Sequence, residues 1–187
     1  MAYLTLYREA LQQNYSFLTR MFEGAQVEWG VVSKLLCGTP IYLQELLDLG
    51  VREIHDSRLS NLKAIKKLDP GIQTVYIKPP AKRSISGIVR YADVSMNTEL
   101  DTLAMLSEEA IRQNKVHKVI IMVELGDLRE GVMGESLVQF YEEAFQYPGI
   151  EIMGLGTNLN CLHGVMPSAD KLIQLSLYKQ IIELKFN

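Results

Sequence analysis

Cysteine is scarce in this chain. Cys37 and Cys161 are its two cysteines in 187 residues, so no disulfide framework is implied and a reducing, cytoplasmic setting is expected. The three histidines, His55, His117 and His163, stand at no zinc-ligand spacing to the cysteines or to each other, so no metal site is expected. Long apolar runs are missing as well: the longest, over 119–123, is far too short to span a bilayer. Residues 1–9 put no basic start before an apolar block, so no signal peptide is expected. Positive charge is not in surplus, with 19 Lys and Arg against 22 Asp and Glu and a net charge of -3. No basic stripe is interleaved with aromatics, which argues against a nucleic-acid binder. No Gly-x-Gly-x-x-Gly follows the first strand-like run, which weighs against a dinucleotide-binding open sheet.

What is present is ordinary globular composition, 48% hydrophobic and 22% charged, in a length suited to one domain. Leu4, Tyr7, Leu11, Tyr15, Leu18 and Phe22 recur at helical spacing, and Gly24 offers a left-handed cap. Strand-like runs follow at 27–33, 51–55, 74–77, 93–96, 118–124 and 150–155. Helical patterns fall between them at 40–47, 59–68, 85–91, 100–113 and 137–145, with a last one at 171–184. Thr39 is placed to cap the helix that Pro40 opens, and Gly50 to stop it. Helical crossovers of this length return the chain in the same direction, so the six strands are expected to pair in parallel. An open doubly wound sheet and a (β/α)8 barrel are the two candidates, and six strands are two short of a closed barrel.

Polar residues gather after the strands: Lys34, the run His55-Asp56-Ser57-Arg58, Lys78, Asn97, 124–129, and Asn158-Leu159-Asn160. A site assembled from many strand ends is what the upper face of a barrel provides. Lys34 closes the run Trp29-Gly30-Val31-Val32-Ser33, and burying an ammonium without a partner is costly. Either it reaches into solvent, or it holds a carbonyl cofactor as a Schiff base, for which desolvation or a nearby cation would free its amine. Arg129, between Asp127 and Glu130, is either a solvated loop ion pair or a planar fork for a carboxylate. His55 reads as a satisfied strand-end histidine or as a site residue. Ser57 and Arg58 read as a helix start or as site residues, and Asn97 as a ligand contact or, preferably, the cap before Thr98. Asn158 and Asn160, flanked by Gly156 and Gly164, are plausible cofactor contacts. Cys37 and Cys161 are expected to be inert packing residues rather than nucleophiles.

Trp29-Gly30-Val31-Val32-Ser33-Lys34 resembles the first-strand signature of pyridoxal-phosphate enzymes of the alanine racemase barrel type, in the ornithine or broad-specificity amino-acid racemase-like branch. His55-Asp56-Ser57-Arg58-Leu59-Ser60-Asn61-Leu62-Lys63, Glu124-Leu125-Gly126-Asp127-Leu128-Arg129-Glu130-Gly131 and Gly156-Thr157-Asn158-Leu159-Asn160-Cys161 are similar to its second, fifth and sixth strand ends. The resemblance implies an α/β fold, a (β/α)8 barrel of PLP fold type III. Over 1–187 it implies the N-terminal portion of one PLP-binding barrel domain, with six βα units and without the family's C-terminal β-domain. It also implies a small-molecule amino-acid substrate and a homodimer. Lys34 would form the internal aldimine and act as a catalytic base, and Arg129 would bind the substrate carboxylate. Lys34, His55, Ser57, Asn97, Asn158 and Asn160 would line the cofactor. Two positions depart from the alanine racemase pattern. Asn158 stands where a histidine flanks the cofactor ring, and Met122 where many members carry a carbamylated lysine bracing the arginine; Glu130 or Glu124 would brace Arg129 instead. Amino-acid racemisation is the leading expectation. A non-catalytic protein that stores or delivers pyridoxal phosphate, or a decarboxylase or aldolase of the same fold type, stays open. No second base stands out beside Lys34 except His55, so this chain alone is not expected to racemise.

Overall fold

The computed structural model describes residues 4–160 and 164–186. It divides into two compact units, Met1–Tyr76 and Ile77–Asn187, each with its own core.

The first unit opens with α1 (Arg8–Gly24). Leu4 and Tyr7 therefore precede the helix that their spacing suggested, and Tyr7 is an extended N-cap without a side-chain bond. No residue of α1 is buried; its apolar side instead lays Tyr15 and Phe22 against Trp29, with ring centroids 5.4 and 5.6 Å away. The expected strand over 27–33 is shortened to β1 (Val31–Val32), because its partner β2 (Glu53–Asp56) offers a ladder only there. β2 pairs in parallel with β3 (Gln73–Tyr76), residue for residue from Glu53↔Gln73 to Asp56↔Tyr76. α2 (Pro40–Asp48) and α3 (Leu59–Leu68) supply the crossovers. Leu43, Leu46, Leu62 and Ile65 of these helices are buried, as is Ile54 of β2.

Two helix ends in this unit close by the same device at different residues. After α2, Gly50 takes φ +87°, its N–H bonds Leu47 O, and Val51 N–H bonds Leu46 O, the paired pattern of a Schellman cap. After α1, the left-handed residue is Gln26 at φ 54° rather than Gly24, with Gln26 N to Glu23 O and Val27 N to Phe22 O. Gly24 is simply the last helical residue. Thr39 precedes Pro40 as expected but makes no side-chain cap bond.

The second unit runs α4 (Ile85–Tyr91), β4 (Val94–Asn97), α5 (Leu100–Arg112), β5 (His117–Met122), α6 (Leu137–Ala144), β6 (Ile150–Gly156) and α7 (Ala169–Phe186). β4, β5 and β6 pair in parallel in chain order, with a bulge opposite Val119 and Ile120 that leaves Met153 unpaired. β5 is not the uniformly buried strand its composition suggested. His117, Val119 and Ile121 are buried on one face with Leu103, Leu106 and Ala110 of α5, whereas Lys118 is exposed and Ile120 half-buried on the other. Parallel strands separated by helices are thus confirmed in both units.

The two helix ends predict opposite signs for one substitution. A Cβ at either glycine meets no heavy atom within 4 Å, so only backbone conformation decides. Gly50→Ala forces a Cβ into the left-handed region and should cost about 1 kcal/mol in urea unfolding. Gly24→Ala sits in helical backbone and should stabilise by about 0.5 kcal/mol.

Candidate active site

In the first unit the strand ends are tied together from beneath. Ser33, buried at the end of β1, gives its N–H to His55 O (2.9 Å) and its Oγ to Asp56 Oδ2 (2.8 Å). Asp56 is fully buried and also accepts from Asn61 Nδ2 of α3 (3.1 Å) and from Arg58 N–H (2.8 Å). The last bond is an Asx turn, a side chain bonding backbone two residues on, and it leads the chain from β2 into α3. A buried carboxylate is tolerable because these donors replace its water.

Lys34 follows Ser33 directly, as the first residue of a 3₁₀ turn, Lys34–Leu36. The turn carries its side chain past the last buried residue, so Lys34 is exposed rather than desolvated by the apolar run before it. Among the described residues none bonds its ammonium. Cys37 ends the turn at φ 50° and Gly38 continues at φ 71°, where a Cβ would lie 2.8 Å from Asn61 Oδ1. Cys37 is exposed, within 3.5 Å of the Arg58 guanidinium, rather than packed in the core.

Strand alternation separates the rest of this unit's candidates. Asp56 and Ile54 face the helices, while Glu53 and His55 lie on the opposite face of β2, joined by His55 Nε2 and Glu53 Oε1 at 2.6 Å. A Cβ on Gly30 would come within 2.5 Å of His55 Nε2, so the missing side chain there makes room for the pair. Ser57 is half-buried in the bend after β2; Arg58, not Ser57, is the N-cap of α3, and neither caps it with a side chain.

In the second unit Arg129 sits on a loop closed at its base by the Val123↔Val132 bridge. Glu124 Oε1 accepts from the N–H groups of Gly126 and Leu128, folding the loop over its own carboxylate. Leu128 is left-handed at φ 52°, and Gly131 crosses so close to Glu124 that a Cβ would lie 2.3 Å from its nitrogen. Arg129 pairs with Glu130 at 3.5 Å, so of the two braces expected for it Glu130 is the one in reach, while Glu124 shapes the backbone. Met122 is buried, its sulfur against Gly156. Asn158 Nδ2 reaches buried Asp127 Oδ2 at 3.4 Å, Thr157 Oγ1 donates to Val123 O, and Asn160 is exposed. Cys161 and His163 lie outside the described residues.

Asn97 does not cap α5, whose N-cap is Glu99. Its Nδ2 turns back to Ser95 O (2.8 Å) and Ser95 Oγ (3.0 Å), and Ser95 Oγ meets His117 Nε2 at 2.9 Å. Asn97 Oδ1 has no bonding partner among the described residues. Sequence reasoning missed Glu53, Ser33 and Ser95, since nothing but register reveals which strand residues share a face. Asp56 was legible in principle, as an Asp two residues ahead of a helix start.

In each unit taken by itself, the polar candidates stand at or just beyond the ends of parallel strands, the placement an α/β barrel-type fold gives. The chain belongs to the alanine racemase N-terminal domain family, whose model matches residues 6–185. It is 37% identical over 185 residues to ornithine racemase of Acetoanaerobium sticklandii, across 98% of this chain and 52% of that protein. It is 28% identical over 173 residues to lysine racemase of Thermotoga maritima, across 92% of this chain and 48% of the relative. The chain thus spans about half the length of these curated relatives. Among solved structures it resembles PipY of Synechococcus elongatus PCC7942 with PLP bound, at a TM-score of 0.71 and 14% identity over 85% of this chain and 76% of that one. The fold is the α/β barrel type of this family, represented here by six βα units.

His117 gives the site's surroundings a pH dependence. Burial lowers its pKa from the ordinary 6.5 to about 4, with Asp93 opposing that shift and Lys115 adding to it. The unfolded chain therefore takes up a proton that the native chain refuses between these values, and stability falls as pH drops from 6.5 towards 4. The loss should approach about 3 kcal/mol, read as a fall in the denaturation midpoint, and should largely vanish in His117→Gln.

Proposed function

We propose that this chain is the barrel portion of a pyridoxal-phosphate-dependent amino-acid racemase and that Lys34 is its cofactor-bearing residue. The observation that carries this is an exposed primary amine just beyond the end of a strand, with no partner among the described residues, in a chain whose 37% identical relative is named an ornithine racemase. The residues around it fit the cofactor's chemistry. A carbonyl group needs a reachable amine, and the Ser33–Asp56 anchor holds the backbone from which that amine projects. When bound, pyridoxal phosphate is an electron sink that makes the Cα proton of an amino acid labile. The protein's part is to bind, orient and move that proton.

Lys34 holds the cofactor and is one proton-carrying group. Arg129 presents two parallel N–H donors to the substrate carboxylate, its guanidinium steadied by Glu130. His55, Ser57, Asn97, Asn158 and Asn160 are the proposed cofactor-side residues. Asn97 serves by fixing the end of β4 from within the core, because its side chain is wholly buried there. Both curated relatives are named for basic amino acids, which favours ornithine- or lysine-like substrates. A homodimer and a cytoplasmic location belong to the same proposal.

Borohydride reduction in the presence of pyridoxal phosphate, followed by peptide mass mapping, should place the pyridoxyl group on Lys34. Label spread over surface lysines, or unchanged labelling in Lys34→Ala, would refute the assignment.

For substrate, Arg129→Lys replaces a planar fork by a point charge. In a protein with demonstrable turnover it should weaken amino-acid binding by about 2 kcal/mol, roughly thirtyfold, while labelling at Lys34 is unchanged. Equal amino-acid affinity in variant and parent would take Arg129 out of the site.

A further inference from the structure

His55 stands above only among the cofactor-side residues, yet its pairing with Glu53 has the geometry of an oriented base. Both residues stand on the face of β2 away from the helices, and Val32 is the register partner of His55. Ser33 N–H bonds His55 O, and Lys34 is the next residue, opening the 3₁₀ turn two positions beyond Val32. A lysine side chain spans about 6 Å, so the exposed Lys34 ammonium would have to swing back over the neighbouring strand to meet the imidazole. Near the pair are Gly30, which precedes β1, and Gln73 and Val75 on β3, the register partners of Glu53 and His55. None of these three is charged and Asp56 faces the other way, while Glu23, Glu28 and Arg52 line the same cavity as Glu53.

Glu53 Oε1 meets Nε2 at 2.6 Å, and the nearest approach of Gly30 is to Nε2 and Cδ2, so this ring edge is filled. The opposite edge, carrying Nδ1, has no hydrogen-bond partner among the described residues. A carboxylate accepting from Nε2–H fixes the tautomer whose free lone pair is on Nδ1, and it stabilises the imidazolium once formed.

We propose that His55, oriented by Glu53, is the proton acceptor that frees the Lys34 amine. The inference rests on Lys34 being the cofactor-bearing residue. An ammonium has no lone pair and cannot attack a carbonyl carbon. In the step assigned here one N–H bond of Lys34 breaks, its electron pair stays on Nζ, and the proton bonds to Nδ1 of His55. Glu53 faces the resulting cation across Nε2, and the reverse transfer returns the proton to Lys34. Glu53 is a positioning residue in this scheme, since it acts through His55.

The test follows the rate at which pyridoxal phosphate becomes fixed to Lys34 of the 187-residue chain at pH 7 with cyanoborohydride, read by peptide mass mapping. His55→Asn should slow the rate at least tenfold. Imidazole in the buffer should restore part of it, while sodium chloride at the same ionic strength should not. Glu53→Gln should slow it less, and should change the tautomer of His55 seen in a long-range nitrogen–proton NMR correlation, which in the parent should show the proton on Nε2. Parent-like rates in a folded His55→Asn, or a proton on Nδ1 in the parent, overturn this inference alone. If the parent chain fails to label at Lys34, the cofactor assignment falls and this inference with it. The Glu53→Gln rate and the parent spectrum decide the matter even if His55→Asn does not fold.

Discussion

A single buried carboxylate organises the first unit. Asp56 lies at 0% exposure and gathers Ser33 Oγ, Asn61 Nδ2 and the Arg58 N–H, drawn from the end of β1, from α3 and from the turn between β2 and α3. Hydrogen bonds to charged groups contribute about 1.5–3 kcal/mol each, and an anion left without them in the core would be far more costly. The chain is therefore obliged to keep these segments in one arrangement. Lys34 inherits that rigidity: its backbone begins where the Ser33 anchor ends, although its own side chain reaches solvent. For the cofactor-bearing role proposed for Lys34, this division provides a fixed root and a free tip.

The second unit reaches a comparable result by other means. Its arginine is on a loop, and loops are ordinarily the mobile part of a fold. Here Glu124 bonds two N–H groups of its own loop, and Gly131 lets the returning strand cross against the Glu124 backbone where no side chain would fit. Beneath, Ser95 ties Asn97 to neutral His117 through a short polar chain inside the core.

Two positions depart from the alanine racemase pattern, and the structure shows what each residue there does instead. Where the family pattern has a carbamylated lysine to brace its arginine, Met122 packs on Gly156, and Glu130 takes up Arg129. Where it has a ring-flanking histidine, Asn158 reaches towards Asp127.

Local pattern was enough for much of the architecture. The helix at 85–91 falls on α4 residue for residue, and the strand at 150–155 lies within β6, because hydrophobic period, Gly and Pro are written along the chain itself. The parallel order also followed, since crossovers of helical length leave little choice. Three things needed the tertiary structure. β1 shrank to two residues because strand length depends on what a partner offers opposite, which no single run encodes. Gln26, not Gly24, took the left-handed position, since a cap depends on where the last turn stops. The sidedness of the site was the third: Asp56 inward, His55 outward, Glu53 beside it. One residue of register moves every side chain to the other face of a sheet, and register is set by contacts between segments far apart in sequence.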